Sequence, residues 1–290
     1  MEHVVDTADG RRLAVSDGGQ PDGIPVLVHY GTPNSRLQYG PDVANASEHG
    51  IRFITYDRPG YGESSPKPGR TVADCVDDVR AICSALNIDR VLTWGISGGG
   101  PHVLACAALL GDLVPAAASL ASPAPWGADG LDYYAGMGEL NVEDMQLFFS
   151  DRVAARAKAE KDRDEMLGAT PEQTLEILKT LVSPADAAVF TPQLAEYFVR
   201  SAAAGLAPGA EGWWEDSVAH LGPWGFELSD IAMPVLLMHG RKDRFVPFGH
   251  GAWLAAHIPG VEARLTEDDG HLTLTTLHLG EVHDWLLQHW

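Results

Sequence analysis

The chain is poor in cysteine, poor in positive charge and free of long apolar runs. Its three cysteines, Cys75, Cys83 and Cys106, are an odd number among 290 residues and include no C-x-x-C pair. That excludes a disulfide framework and a zinc ribbon, and leaves three buried, reduced thiols as the expectation. Lys and Arg number 20 against 40 Asp and Glu, a formal charge of −20. A field of that sign repels phosphate backbones and anionic lipid, so neither nucleic acid nor a membrane surface is expected as a partner. The longest apolar stretch, Val103 to Leu110, falls far short of the roughly 20 residues that span a bilayer. The opening MEHVVDTADG has no basic segment leading into an apolar one, so no signal peptide is expected and a cytoplasmic location is. Haem, flavin and metal motifs are also missing. His278 and His283 do not spell H-E-x-x-H, and no cofactor is expected.

What the chain does have is alternation. Val26 to His29, Arg52 to Tyr56, Val91 to Ile96 and Val235 to His239 are short, nearly continuous apolar runs, the pattern of parallel strands buried on both faces. Val4 to Thr7 and Leu13 to Ser16 read as an antiparallel hairpin around Asp9-Gly10, and Ala116 to Ala121 and Val261 to Thr266 as weaker strands. Helices are expected from a cap at Thr71–Asp74 to about Leu86, and over Gly99 to Leu110, Phe248 to Ile258 and Leu272 to His289. Strand–helix alternation of this kind specifies α/β architecture, with a mostly parallel central sheet flanked by helices. From Pro125 to Leu228 no good strand occurs. There Asn141 to Leu167 reads as one helix with Met145, Phe148, Phe149 and Val153 on its apolar face. Thr170-Pro171-Glu172-Gln173 is a capping box, and Ser183-Pro184 opens a further helix. Residues 1–124 and 229–290 are therefore expected to form the core, interrupted by a helical cap at 125–228.

Gly95-Ile96-Ser97-Gly98-Gly99 matches G-x-S-x-G where a buried strand meets an apolar helix. A serine at that junction sits in a sharp, strained turn, its hydroxyl above the sheet and a helix N-terminus behind it. Gly98 N–H is then a donor for a developing oxyanion. A serine hydroxyl needs a base, and the base an orienting carboxylate, in the chain order Ser, acid, His. Asp243 lies just past the Val235–His239 strand, and His271 lies between the Val261–Thr266 strand and the last helix. Both are loops at the strand ends where such sheets place chemistry. Of twelve histidines, His257, His278, His283 and His289 fall on helices. His29 and His239 end strands, and His102 points away from the hydroxyl. Asp268 and Asp269 rival Asp243 but lie too near His271 in the chain.

Together these residues resemble the α/β-hydrolase superfamily, and in particular its cap-bearing bacterial serine hydrolases, over nearly the whole chain. His29-Tyr30-Gly31-Thr32-Pro33 is similar to the family's H-G-x-P loop with one residue inserted. The resemblance implies a second oxyanion-hole amide at Thr32. Asp57-Arg58-Pro59-Gly60-Tyr61-Gly62-Glu63-Ser64 is similar to its D-x-x-G-x-G-x-S turn, which implies a structural role. Relatives that attack with aspartate are excluded by Ser97. Proline iminopeptidases are excluded because the chain has neither their H-G-G-P-G loop nor a tryptophan after the serine.

Trp126, Tyr133, Tyr134, Trp213, Trp214 and Trp224 lie in the cap and the loop before it, forming either an aromatic substrate pocket or a packed cap–core interface. Glu215 and Asp216 are either an amine anchor or an exposed helix start. The expected activity is hydrolysis of a small apolar carboxylic ester, a small-molecule substrate, through an acyl-enzyme on Ser97, His271 and Asp243. An aminopeptidase or amidase, and a carbon–carbon hydrolase or perhydrolase on the same three residues, are the alternatives. A ligand receptor that keeps the fold is the non-enzyme reading.

Overall fold

The computed structural model describes all 290 residues. Eight strands form one sheet: β1 (Glu2–Asp6), β2 (Arg12–Gly19), β3 (Ile24–His29), β4 (Ile51–Tyr56), β5 (Leu92–Ile96), β6 (Ala117–Leu120), β7 (Val235–Gly240) and β8 (Glu262–Thr266), in the spatial order β1-β2-β4-β3-β5-β6-β7-β8. β1 and β2 are antiparallel, and every pairing from β4 to β8 is parallel. The central strands carry apolar residues on both faces because both faces are covered. Leu27 and Ile54 point into one core cluster, and Val26, Val28 and Phe53 into the other. The first cluster packs under α2 (Cys75–Ala85), α3 (Gly100–Leu109) and α10 (Phe248–His257). The second packs under α1 (Gly40–Glu48) and α11 (Thr273–Gln288). All three cysteines are buried and free. No helix is long and apolar enough to cross a membrane.

Between β6 and β7 the chain runs through α4 (Glu139–Ser150), α5 (Arg152–Gly168), α6 (Pro171–Ile177), α7 (Pro184–Val189), α8 (Pro192–Leu206) and α9 (Glu211–Leu221), with no strand. The expected capping box forms at Thr170, and the expected helix start at Ser183 is a capping box as well. The expected helix over 141–167 is two helices. Asp151 is extended (φ −150°, ψ 92°) and its carboxylate accepts from the amides of Val153 and Ala154. This starts α5 anew and ends the apolar face: Phe148 is buried, but Val153 is 83% exposed. At α2 the cap residues exchange roles. Thr71 donates both its amide and its hydroxyl to the Asp74 carboxylate. Helix α1 has no counterpart in the sequence reading, because only Val43, Ala44 and Ala46 are apolar between Gly40 and Glu48.

Candidate active site

The parallel strands aim their C-terminal ends at one edge, and the chemistry-bearing loops leave from there. β5 ends at Ile96, and Ser97 follows with φ +57°, a left-handed conformation at a non-glycine residue. That strain requires small neighbours. A methyl group on Gly95 would lie 2.8 Å from the carbonyl oxygens of His29 and Gly99, so the turn closes only with glycine there. α3 starts at Gly100, directing the positive end of its dipole toward the serine.

The loops after β7 and β8 are stitched together. Arg241 N–H donates to Thr266 O and Lys242 N–H to Asp269 O, each at 2.8 Å. This carries Asp243 to His271: His271 Nδ1 donates to Asp243 Oδ2 at 2.7 Å. The other Asp243 oxygen accepts from the amides of Phe245 and Val246, both at 2.9 Å. The carboxylate is thus locked, and the imidazole tautomer with it. The Phe245 ring stacks on His271 with centroids 4.6 Å apart. Burial pushes the His271 imidazole down, but the charge and hydrogen bond of Asp243 outweigh it, Asp186 adds to them, and the net shift is upward. The rival carboxylates are occupied elsewhere, Asp268 by Lys242 and Asp269 by His278. Among the other histidines, His239 donates to Val246 O at 2.8 Å, His29 bonds the Tyr56 hydroxyl, and His102 bonds Gly98 O. They brace loops.

Two cavities meet at Ser97. One, of about 150 Å³, also includes His271. The other, of about 550 Å³, includes Gly98, Tyr133, Trp213 and Trp214. Thr32 and Phe245 line both, as do Met166 and Leu178 from the insertion. Thr32 and Gly98 face one another: a methyl on Gly98 would meet Thr32 Cβ at 3.1 Å.

Trp126 and Trp224 are not where a pocket role needs them. Trp126 stacks on Phe149 with centroids 4.2 Å apart and lines neither cavity. Trp224 is buried in the core cluster beneath α3, its Nε1 donating to His220 O. Neither Glu215 nor Asp216 is exposed, and neither is free to hold a substrate amine. Glu215 accepts from Gly69 N–H at 2.7 Å. Asp216, fully buried, pairs with Arg58 and with Arg70, each at 2.7 Å. Burial alone raises a carboxyl pKa, but the two guanidiniums reverse the effect and hold Asp216 well below the usual range. Arg58 in turn donates to Gly31 O at 3.2 Å and to Thr32 Oγ1 at 2.9 Å. The loop facing Ser97 is thereby fastened to α9. A second close approach joins the turn that carries Arg58 to α9, since a methyl on Gly60 would lie 2.9 Å from Gly212 Cα. Asp57 braces the turn that carries Gly60, accepting from the amides of Arg36 and Glu63.

A model of the alpha/beta hydrolase fold matches residues 24–276. The chain belongs to the α/β-hydrolase fold family. As a member of that family it is a hydrolase enzyme. The AB hydrolase superfamily protein YisY of Bacillus subtilis is 27% identical over 275 residues, 93% of this chain and 92% of that protein. A 2-hydroxy-6-oxononadienedioate/2-hydroxy-6-oxononatrienedioate hydrolase of Cupriavidus pinatubonensis is 24% identical over 272 residues, 90% of this chain and 84% of that one. Among solved structures, a thermophilic esterase from Thermogutta terrifontis superposes over all of both chains with a TM-score of 0.71 at 20% identity.

Sequence reasoning missed one residue of this α/β hydrolase that touches the His271 loop. Asp186 on α7 is fully buried, and its Oδ1 accepts from Leu272 N–H at 2.7 Å. Its Oδ2 accepts from the Ser183 hydroxyl at 2.7 Å. The signal was the capping pattern Ser183-Pro184-Ala185-Asp186, which reveals the carboxylate's local task and nothing of its second partner.

Proposed function

We propose that this α/β hydrolase cleaves small carboxylic esters through an acyl-enzyme on Ser97. His271 takes the serine proton and hands it to the leaving alcohol. Asp243 orients His271 and stabilises its charged form. The amides of Thr32 and Gly98 hold the tetrahedral oxyanion, and water activated by His271 releases the acid. Residues 125–228 act as a cap over the core formed by 1–124 and 229–290, with the two arms of the ester divided between the two cavities. Tyr133, Trp213 and Trp214 form the aromatic wall of the larger one. The observation that carries this reading is the 2.7 Å Asp243–His271 contact beside a serine in the left-handed conformation, with serine and histidine lining one cavity.

The test is hydrolysis of p-nitrophenyl esters of increasing acyl length by the wild type and by Ser97→Ala. Turnover that disappears in the variant, with a preferred length, is expected. Undiminished turnover by Ser97→Ala overturns the mechanism.

Carbon–carbon hydrolysis ranks second, favoured by the relative from Cupriavidus pinatubonensis. A dioate substrate needs a cation for its distal carboxylate. The smaller cavity has no Lys or Arg in its wall, and the lysines beside the larger one, Lys158 and Lys161, are already paired with Asp144, Asp162 and Glu165. Ester cleavage is therefore preferred. The amidase reading loses its anchor with the pairing of Asp216 to two arginines.

A further inference from the structure

The smaller cavity holds one carboxylate that the proposed chemistry does not use. Asp42, on the first turn of α1, is 8% exposed and lines the same cavity as Ser97 and His271. It has no salt-bridge partner, and no Lys or Arg lines the cavity. Its one hydrogen bond is from the Tyr30 hydroxyl, at 3.4 Å. A carboxylate serving its own helix would accept a backbone amide of the first turn, and Asp42 accepts none. Three tyrosines surround it. Tyr197 lies 6.3 Å from Tyr30 and 4.9 Å from Tyr39, ring centroid to ring centroid. The Tyr197 hydroxyl is buried without a hydrogen-bond partner. A desolvated carboxylate with nothing to neutralise it is costly, and burial pushes this one up to about 7, the Tyr30 hydroxyl pulling slightly the other way. A buried carboxylate beside a cluster of tyrosines has the chemistry that attracts an organic cation, through charge and through the aromatic rings.

Resting on the ester-hydrolase reading, we propose that the smaller cavity is a specificity site for a protonated amine: the substrate is an ester, one arm of which ends in an ammonium group seated between Asp42 and Tyr30, Tyr39 and Tyr197. The cavity of about 150 Å³ admits an arm of benzene-like bulk. Ser97 lines the same cavity, so the scissile carbonyl is held in it together with the ammonium arm.

The experiment is calorimetric titration of wild type and Asp42→Asn with n-butylammonium and with 1-butanol, alongside p-nitrophenyl butyrate turnover by both proteins. The wild type is expected to bind the ammonium ion about tenfold more tightly than the alcohol, the size of one charge-assisted contact. Asp42→Asn is expected to bind the two alike. Its Tm is also expected to rise, because it removes an uncompensated buried charge, whereas a merely structural carboxylate would lower the Tm on removal. Equal affinities in the wild type overturn the proposal, whether or not Asp42→Asn folds. So does an ammonium preference that survives in Asp42→Asn. Ester turnover without ammonium preference overturns the specificity site and leaves the hydrolase reading intact. Ammonium preference with no butyrate turnover by the wild type overturns the ester-hydrolase reading and leaves the cation site.

Discussion

Replacing Asp216 with alanine would leave two guanidiniums in the interior with no other carboxylate in contact. The Arg58 and Arg70 side chains are 4% and 3% exposed, and Asp216 is fully buried between them. Removing one partner of a buried ion pair costs about 3–5 kcal/mol, because the remaining charge stays desolvated. Here two charges are stranded, so the upper end of that range is expected. At roughly 2–4 °C per kcal/mol for a chain of this size class, Tm falls by about 10 °C or more. Urea unfolding would show a lower midpoint at unchanged slope. Asp216→Asn keeps the shape and some hydrogen bonding, and loses less. The loss also has a pH signature. The Asp216 carboxyl is held well below its ordinary range, so its contribution is complete above the unfolded value near ~4 and is lost as pH falls through the folded one. The gap between wild type and variant must therefore narrow on acidification. Since Arg58 also bonds Gly31 O and Thr32 Oγ1, the folded variant is expected to lose kcat as well. A penalty below about 1 kcal/mol, the worth of an exposed pair, would refute the argument.

Other perturbations separate chemistry from structure. Ser97→Ala is expected to lower kcat roughly 10⁴–10⁶-fold in ester assays. Ser97→Gly should be equally inactive yet about 1 kcal/mol more stable in urea, because glycine tolerates the φ of +57°. With His271 shifted upward by Asp243, kcat/KM should rise with pH through an inflection above about 6.5, since the base must be neutral. The stabilising His271–Asp243 ion pair behaves oppositely: it is complete below the unfolded histidine pKa and is lost as pH rises through the folded one. Asp243→Asn should lower kcat about 10⁴-fold and move the inflection down. Asp186→Ala strands the buried Leu272 amide, at about 1–3 kcal/mol in chemical unfolding, and is expected to lower kcat more than it changes KM.

The strands were legible because central parallel strands must be apolar on both faces, and Val26 to His29 or Val235 to His239 announce that without any partner in view. The candidate residues at the strand ends were legible for a related reason. The strained turn at Ser97 is a local signal, and the Ser–Asp–His chain order is read along the sequence with no contact in view. What failed was anything decided by distant parts of the chain. Asp216 looks like an exposed helix start because Arg58 and Arg70 lie 158 and 146 residues away. The helix break at Asp151 was legible in principle, as a Ser-Asp pair able to cap, but helical periodicity continues across it. The aromatic residues divided in the same way. Trp213 and Trp214 face the larger cavity, while Trp224 belongs to the core, and composition does not distinguish the two.

The fastening of α9 also sets where this protein can change its specificity. Its contacts are a buried double ion pair and a glycine–glycine backbone approach, so substitutions there disturb the loop opposite Ser97 and the stability of the whole. Part of the wall of the smaller cavity comes from α5, α6 and α8, through residues such as Met166, Thr174, Leu194 and Phe198, none of which belongs to that anchor. Substitutions on those three helices can reshape the smaller cavity without touching the α9 anchor. The insertion thus divides into a part constrained by folding and a part open to selection.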